Sequence, residues 1–246
     1  GVSHRKTAST YGVSEYLEIF AGDLLRDEII NAKKLLTSQK RPMTTIISGA
    51  KISTKLTLIK KLISKSDNII LGGGILNTFL KAMGHEIGDS LIEDSFIAEA
   101  EEILNSNDSN KILMPIDVMV SSRSDLDNPE TREISMVQSN DKILDIGKKT
   151  IDCYNKVITE SSTIFWNGPL GYVEKSPFDN GTIKISKAIA SSQAYSVVGG
   201  GDTIPIIESL KLQNKFSCLS TGGGSLLKFI EGEKLPVLDM LGMYEL

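Results

Sequence analysis

Cysteine is scarce: Cys153 and Cys218 stand far apart, so neither a disulfide framework nor a CxxC zinc site is available. Two histidines, His4 and His85, are too few for a His-based metal cluster. No apolar run reaches the length of a membrane span; residues 112–120 come nearest and are interrupted by Pro115 and Asp117. A signal-peptide pattern is missing from the first residues, which makes the cytoplasm the expected compartment. Positive charge is not in excess either. The net charge of −4 over 246 residues argues against nucleic-acid binding, which needs concentrated Lys and Arg, but leaves room for a local basic cleft. GxxxxGK[ST] does not occur, which excludes a P-loop. None of the triple-glycine runs completes GxGxxG, because the final position is Asn77, Ile204 or Leu227, so a dinucleotide-binding enzyme is not expected. Gly88-Asp89-Ser90-Leu91 spells an esterase signature, but no histidine follows His85 to activate the serine.

What is present is ordinary globular material, 40% hydrophobic and 24% charged. Nearly continuous apolar or β-branched runs lie at 44–48, 68–71, 112–115, 163–166, 195–198 and 216–220. Such runs suit strands buried on both faces. Stretches with helical spacing separate them, such as Phe96, Ile97, Ala100, Ile103 and Leu104, or Ile183, Ile185, Ala188 and Ile189. This alternation predicts an α/β fold, a Rossmann-like three-layer domain with a mainly parallel six-stranded sheet and helices on both faces. Right-handed crossovers then bring every strand's C-terminal end to one edge. Ahead of the first strand, Leu17, Phe20, Leu24, Leu25, Ile29, Ala32 and Leu36 predict a helix over 17–36 of about five turns. Lys40-Arg41-Pro42 ends it, since the residue before proline is pushed out of the helical region.

The glycines fall where that edge is expected. Gly49 follows the first run, Gly72-Gly73-Gly74 the second, Gly168 and Gly171 the fourth, Gly199-Gly200-Gly201 the fifth and Gly222-Gly223-Gly224 the sixth. One such pair alone reads as a tight strand–helix turn. Five clusters on one edge point to a polyphosphate or nucleotide site, where backbone N–H groups meet anionic oxygens. Lys51 and Lys55 are spaced to stand one helical turn apart just after the first strand, able to hold a phosphate. Alone they read rather as the start of a solvated face running on to Lys60, Lys61 and Lys65. Asp202, after Gly201 and before Thr203, offers magnesium a carboxylate or caps a helix.

Ser48-Gly49-Ala50-Lys51 with Lys55, Gly72-Gly73-Gly74, Leu144-Asp145-Ile146-Gly147, Trp166-Asn167-Gly168-Pro169-Leu170-Gly171, Gly199-Gly200-Gly201-Asp202-Thr203 and Ser220-Thr221-Gly222-Gly223-Gly224 form an ordered set. In that order they resemble the phosphoglycerate kinases, over almost the whole chain, as the C-terminal nucleotide-binding half with the interdomain helix. Ser3-His4-Arg5 is similar to the family's Ala-His-Arg segment near the end of its N-terminal domain. The resemblance implies reversible phosphoryl transfer between ATP and 3-phosphoglycerate in glycolysis, giving ADP and 1,3-bisphosphoglycerate, with Mg2+ bound alongside the nucleotide. It implies that Lys51 contacts the phosphate in flight, that Lys55 holds nucleotide phosphates, and that Gly49, Ala50, Gly72 and Gly73 line the adenine pocket. Asn167 would lie near the phosphates with Gly200 and Gly201, Glu174 at the ribose, and Asp202 on magnesium with Thr203 beside it. Gly222, Gly223 and Gly224 would stabilise the transferring group, and Arg5 would belong to the 3-phosphoglycerate site.

The division implied is a connector and interdomain helix over 1–41, a nucleotide-binding domain over 42–232 and a C-terminal tail over 233–246. Ser48, Thr54, Lys148 and Tyr172-Val173 depart from common family residues, and Ile143 stands where some members have an adenine-lining glycine. The family's N-terminal domain has no counterpart here, so the chain reads as a fragment that meets 3-phosphoglycerate through an absent domain. The parent is expected to be monomeric, without nucleic-acid or membrane partners. A noncatalytic nucleotide-binding module, or an inactive truncated fragment of such a kinase, remains the alternative.

Overall fold

Uninterrupted β-branched runs do become the strands of a buried sheet. A computed structural model describes residues 1–37, 40–122 and 125–244. Along the chain the strands are β1 (Met43–Ser48), β2 (Asn68–Gly72), β3 (Ile112–Leu113), β4 (Asp117–Ser122), β5 (Asp125–Glu133), β6 (Asp141–Ile146), β7 (Thr163–Asn167), β8 (Tyr195–Gly199) and β9 (Cys218–Ser220). The helices are α1 (Asp23–Thr37), α2 (Leu56–Ile63), α3 (Gly73–Ala82), α4 (Ile97–Leu104), α5 (Lys148–Glu160), α6 (Asn180–Ser191), α7 (Ile204–Ser209), α8 (Gly224–Glu231) and α9 (Pro236–Met240).

Six strands pair in the order β3-β2-β1-β7-β8-β9, all parallel. Every residue of β1 and of β7 is buried, whichever way its side chain points, so both faces of the sheet are covered. Ile46, Ile47, Ile69, Ile70, Phe165 and Trp166 form its centre. The chain winds outward from β1 to β3, returns, and winds outward from β7 to β9. Neighbouring β1 and β7 are therefore the strands from which the chain departs in opposite directions, the position at which open α/β sheets bind ligands.

Three features differ from the sequence-based expectation. A second sheet, antiparallel in the order β5-β4-β6, is inserted between β3 and α5. Its outer strand β5 is polar, Asp-Leu-Asp-Asn-Pro-Glu-Thr-Arg-Glu, with no period-two apolar pattern to announce it. α1 begins at Asp23, not at residue 17, and Leu17 and Phe20 are 64% and 80% exposed. Their apolar spacing continues the stripe, but they have no core to face, and Gly22 is a poor helix residue just before the start. The segment after residue 232 folds back, with Leu235, Leu238 and Met243 burying against Ile29 of α1. Such burial is worth on the order of 2 kcal/mol per side chain. Tyr244 stacks on Phe229 of α8 with ring centroids 6.1 Å apart.

Candidate functional site

The site is built from backbones that approach more closely than any side chain allows. β1 runs into Ser48-Gly49-Ala50 and β7 into Asn167-Gly168-Pro169, side by side at the switch point. Gly168 has φ +94°, and a Cβ there would sit 2.0 Å from the Ser48 carbonyl oxygen. A Cβ on Gly74 would sit 2.2 Å from the carbonyl oxygen of Ala50, so the loop after β2 is equally committed to glycine. Hydrogen bonds lock the three loops. Gly73 N–H donates to Leu170 O at 3.2 Å and Ile75 N–H to Gly49 O at 3.2 Å. Trp166 Nε1–H donates to Gly168 O at 2.8 Å, and the Ser48 hydroxyl to Pro169 O.

These loops enclose a cavity of about 250 Å³. Gly49, Ala50, Gly73 and Gly74 form one wall; Leu91 with Ile143 and Leu144 of β6 forms another; Pro169, Gly171, Tyr172 and Glu174 close it, with Asp202 at the rim. Most of that lining is apolar, and the charge is gathered near Asp202. The Lys55 ammonium donates to Ser48 O, within 3.1 Å of where Cβ atoms on Gly49 and Gly168 would lie. Burial pushes Lys55 down to about 8, while nearby Asp202 pulls the other way. Asn167 Nδ2–H donates to Gly199 O at 2.8 Å, leaving Asn167 Oδ1 buried. That oxygen and the buried Thr203 hydroxyl have no hydrogen-bond partner among the described residues. A Cβ on Gly200 would lie 3.3 Å from Asn167 Nδ2 and 3.6 Å from Thr203 Oγ1, which places these groups around one spot. A desolvated ammonium beside an unpaired hydroxyl suits a phosphate chain, whereas the Asn167 oxygen can only accept and suits a cation or a donor.

The family model for Phosphoglycerate kinase matches residues 1–233. The chain belongs to the phosphoglycerate kinase family. It is 45% identical over 243 residues to the phosphoglycerate kinase of Baumannia cicadellinicola subsp. Homalodisca coagulata, covering 98% of this chain and 62% of the relative. The structure is similar to phosphoglycerate kinase from Coxiella burnetii, with TM-score 0.90 and 38% identity over 98% of this chain and 63% of that one. The Pyrococcus horikoshii OT3 phosphoglycerate kinase gives TM-score 0.87 at 29% identity, over 99% of this chain and 62% of that one. The chain thus spans about 62% of the length of the curated relatives it matches.

Against the phosphoglycerate kinase resemblance, Gly49, Ala50, Gly73, Glu174 and Asp202 do line one cavity. Lys55, Asn167, Gly200 and Thr203 gather beside it. Gly72 lies behind the wall, where a Cβ would meet Ser48 Oγ at 2.6 Å, and Gly201 is exposed next to Asp202. Lys51 is exposed with an extended backbone (φ −125°, ψ 121°), and a 3-10 turn over Ile52–Thr54 separates it from Lys55. The two lysines are therefore not stacked along a helix, contrary to the spacing argument. Thr203, not Asp202, occupies the N-cap position of α7, which leaves the Asp202 carboxylate exposed at the rim.

Gly222, Gly223 and Gly224 form a separate locus at the start of α8. His4 Nδ1 lies 2.7 Å from Ser225 Oγ there, and Arg5 Nε–H donates to His4 Nε2 at 3.1 Å, so Arg5 joins this locus. Asn77 and Leu91 are cavity residues that the sequence reading did not single out. The available signal for Asn77 was its place one helical turn after Gly74. No group of three or more His, Cys, Asp or Glu able to hold a metal occurs among the described residues, and none of their helices is long and apolar enough to cross a membrane.

Proposed function

We propose that the cavity binds ADP or ATP with Mg2+, and that the full-length protein transfers the terminal phosphoryl group of ATP to the carboxylate of 3-phosphoglycerate, reversibly. The observation that carries this reading is the gathering of the Lys55 ammonium and the unpaired Thr203 hydroxyl around Gly168 and Gly200 at the C-terminal edge of the sheet. The base sits between the glycine wall and Leu91, Ile143 and Leu144; Glu174 takes the ribose hydroxyls at the exposed mouth. The phosphates run toward Lys55 and Gly168. Asp202, an open carboxylate beside that ammonium, fits a magnesium ion that arrives on the nucleotide and keeps most of its other ligands as phosphate and water. Bound there, the ion would neutralise charge on the phosphates.

Lys51 is exposed and unanchored to the cavity wall, which suits contact with a group leaving the nucleotide. Gly222, Gly223 and Gly224, with Arg5 close by, suit the acceptor side. Transfer needs no covalent enzyme intermediate, since positioning and charge stabilisation suffice. This chain alone is expected to bind Mg-ADP but not to turn over, because Arg5 on an exposed connector cannot by itself orient a multiply charged acceptor. Calorimetry with Mg-ADP and a coupled assay on the purified chain test both parts. Saturable heat without turnover is expected, with turnover restored by the N-terminal portion of a full-length relative. Absence of heat at millimolar nucleotide contradicts the nucleotide reading; robust turnover by the chain alone contradicts the division of labour.

A further inference from the structure

Lys51 leads into the 3-10 turn over Ile52–Thr54, and the first N–H groups of such a turn have no acceptor within it. The Lys51 side chain does not cap it. The acceptor comes instead from a residue 40 positions further on: Ser53 N–H donates to Glu93 Oε2 at 2.8 Å. Ser53 Oγ–H donates to Glu93 Oε1, also at 2.8 Å, so one carboxylate grips one residue with both oxygens. The Ser53 N–H, followed by the Ser53 hydroxyl, the Lys51 charge and Ile52 N–H, holds the Glu93 carboxyl below the usual glutamate range against a smaller opposing effect of burial. Glu93 is itself moored to α3. Its N–H donates to Thr78 Oγ1 at 3.4 Å, and two residues earlier Leu91 O accepts from Asn77 Nδ2–H at 3.1 Å. Within the turn, Ile52 is buried and Thr54 Oγ–H donates to Lys51 O at 2.9 Å. The Lys51 backbone is thereby fixed while its side chain stays exposed.

Resting on the transfer role given to Lys51 above, we propose that Glu93 is a positioning residue for phosphoryl transfer: its grip on Ser53 sets the turn from which the Lys51 side chain reaches the phosphoryl group. A lysine side chain is long, so a small rotation of the turn becomes a larger displacement of the ammonium. Misplacement of a reacting contact by about 1 Å can cost on the order of a hundredfold in rate. Glu93 does not line the nucleotide cavity, and its carboxylate would repel a phosphate at contact, so its effect is exerted through Ser53 and Lys51. Its negative charge also attracts the Lys51 ammonium, which keeps that group on the Glu93 side of the turn.

The test is a double-mutant cycle on the full-length protein: wild type, Glu93→Ala, Lys51→Met and the pair. Turnover is measured with Mg-ATP and 3-phosphoglycerate, and Mg-ADP affinity by calorimetry. Glu93→Ala is expected to lower kcat about tenfold while Mg-ADP affinity stays within about twofold. Beside Lys51→Met the same change should lower kcat by less than about twofold, because a residue that acts through Lys51 has nothing left to position. Glu93→Gln keeps an oxygen for Ser53 N–H and should restore part of the rate. A merely structural role would give the same fold-loss in both backgrounds, and would move affinity with kcat because the Leu91 wall loosens too. Ser53→Ala removes the hydroxyl half of the grip from the other side and runs the same cycle if Glu93→Ala does not fold. Equal losses in both backgrounds, affinity falling in step with kcat, or an unchanged kcat overturns the assignment of Glu93 and leaves Lys51 in place. A wild type without turnover, or a Lys51→Met variant as fast as the wild type, overturns the transfer role of Lys51 and this inference with it.

Discussion

Lys55 keeps its ammonium in a place that partly strips it of water, with Ser48 O as its hydrogen-bond acceptor and Asp202 nearby. Burial holds it down to about 8, so near pH 8 a large share of the unliganded protein carries the neutral amine. A phosphate favours the charged form and raises the pKa on binding. Nucleotide binding near pH 8 should therefore take up protons, and affinity should fall as pH rises through that value. Calorimetry of Mg-ADP in buffers of different ionisation heat reads the uptake directly. Lys55→Met should abolish it and weaken binding at least about tenfold; heats that do not depend on the buffer would remove Lys55 from the phosphate site. Lys51 calls for the opposite pattern. In the full-length protein Lys51→Met should lower kcat on the order of a hundredfold while changing nucleotide affinity little, since a contact made in the transition state acts on rate. Equal losses in kcat and affinity would make Lys51 an ordinary anchor.

Between elements, the cavity depends on how β6 is fastened to α6. Asp145 of β6 accepts hydrogen bonds from Gly181 N–H at 2.6 Å and Ile146 N–H at 2.8 Å. Tyr172 N–H donates to Leu144 O at 2.7 Å and Leu170 N–H to Thr182 Oγ1 at 2.9 Å, so the loop after β7 hangs between the same two elements. Burial pushes the Asp145 carboxyl up to about 7, although both N–H groups pull it down and Asp179 adds to the rise. Folding thus raises this pKa above its unfolded value, and the native state holds more protons between about pH 4 and 7. The contribution of Asp145 to stability is present below that window and is lost as pH rises through it. Asp145→Asn should flatten the decline of Tm from pH 5 to pH 7; an unchanged slope would show that Asp145 is ionised throughout. The sequence hinted at little of this fastening. The strands of the parallel sheet were legible because burial on both faces writes itself as a continuous apolar run, as in Thr45, Ile46 and Ile47. β5 was not, because its strand character comes from pairing with β4 and not from its own residues. The glycine edge was legible because Gly168 and Gly74 have no substitute at such approach distances. Asn77 and Leu91 were not, since a cavity wall is assembled from α3 and a loop 14 residues further on.

Across the whole molecule, the glycine-rich edge carries two loci. One is the 250 Å³ cavity at the switch point. The other is a cavity of about 270 Å³ between α1, α8 and α9, lined mainly by apolar residues such as Leu25, Ile29, Leu226 and Leu238. Glu28 of α1 ties its rim together by accepting hydrogen bonds from Ser220 Oγ at 2.5 Å and Thr221 N–H at 2.6 Å. That bond joins the helix to the loop that carries Gly222, Gly223 and Gly224. Tyr16, Leu17, Phe20 and Leu24 expose apolar surface on the same stretch of chain. Both cavities are of similar size, but lysine, amide, hydroxyl and carboxylate converge at the first. The proposed nucleotide site is the first cavity. Amide chemical-shift mapping of the isotope-labelled chain during a Mg-ADP titration tests it most directly. Saturable shifts should centre on Gly49, Ala50, Gly73, Gly168 and Thr203, whereas shifts confined to α1, α8 and α9, or none at millimolar nucleotide, would contradict it.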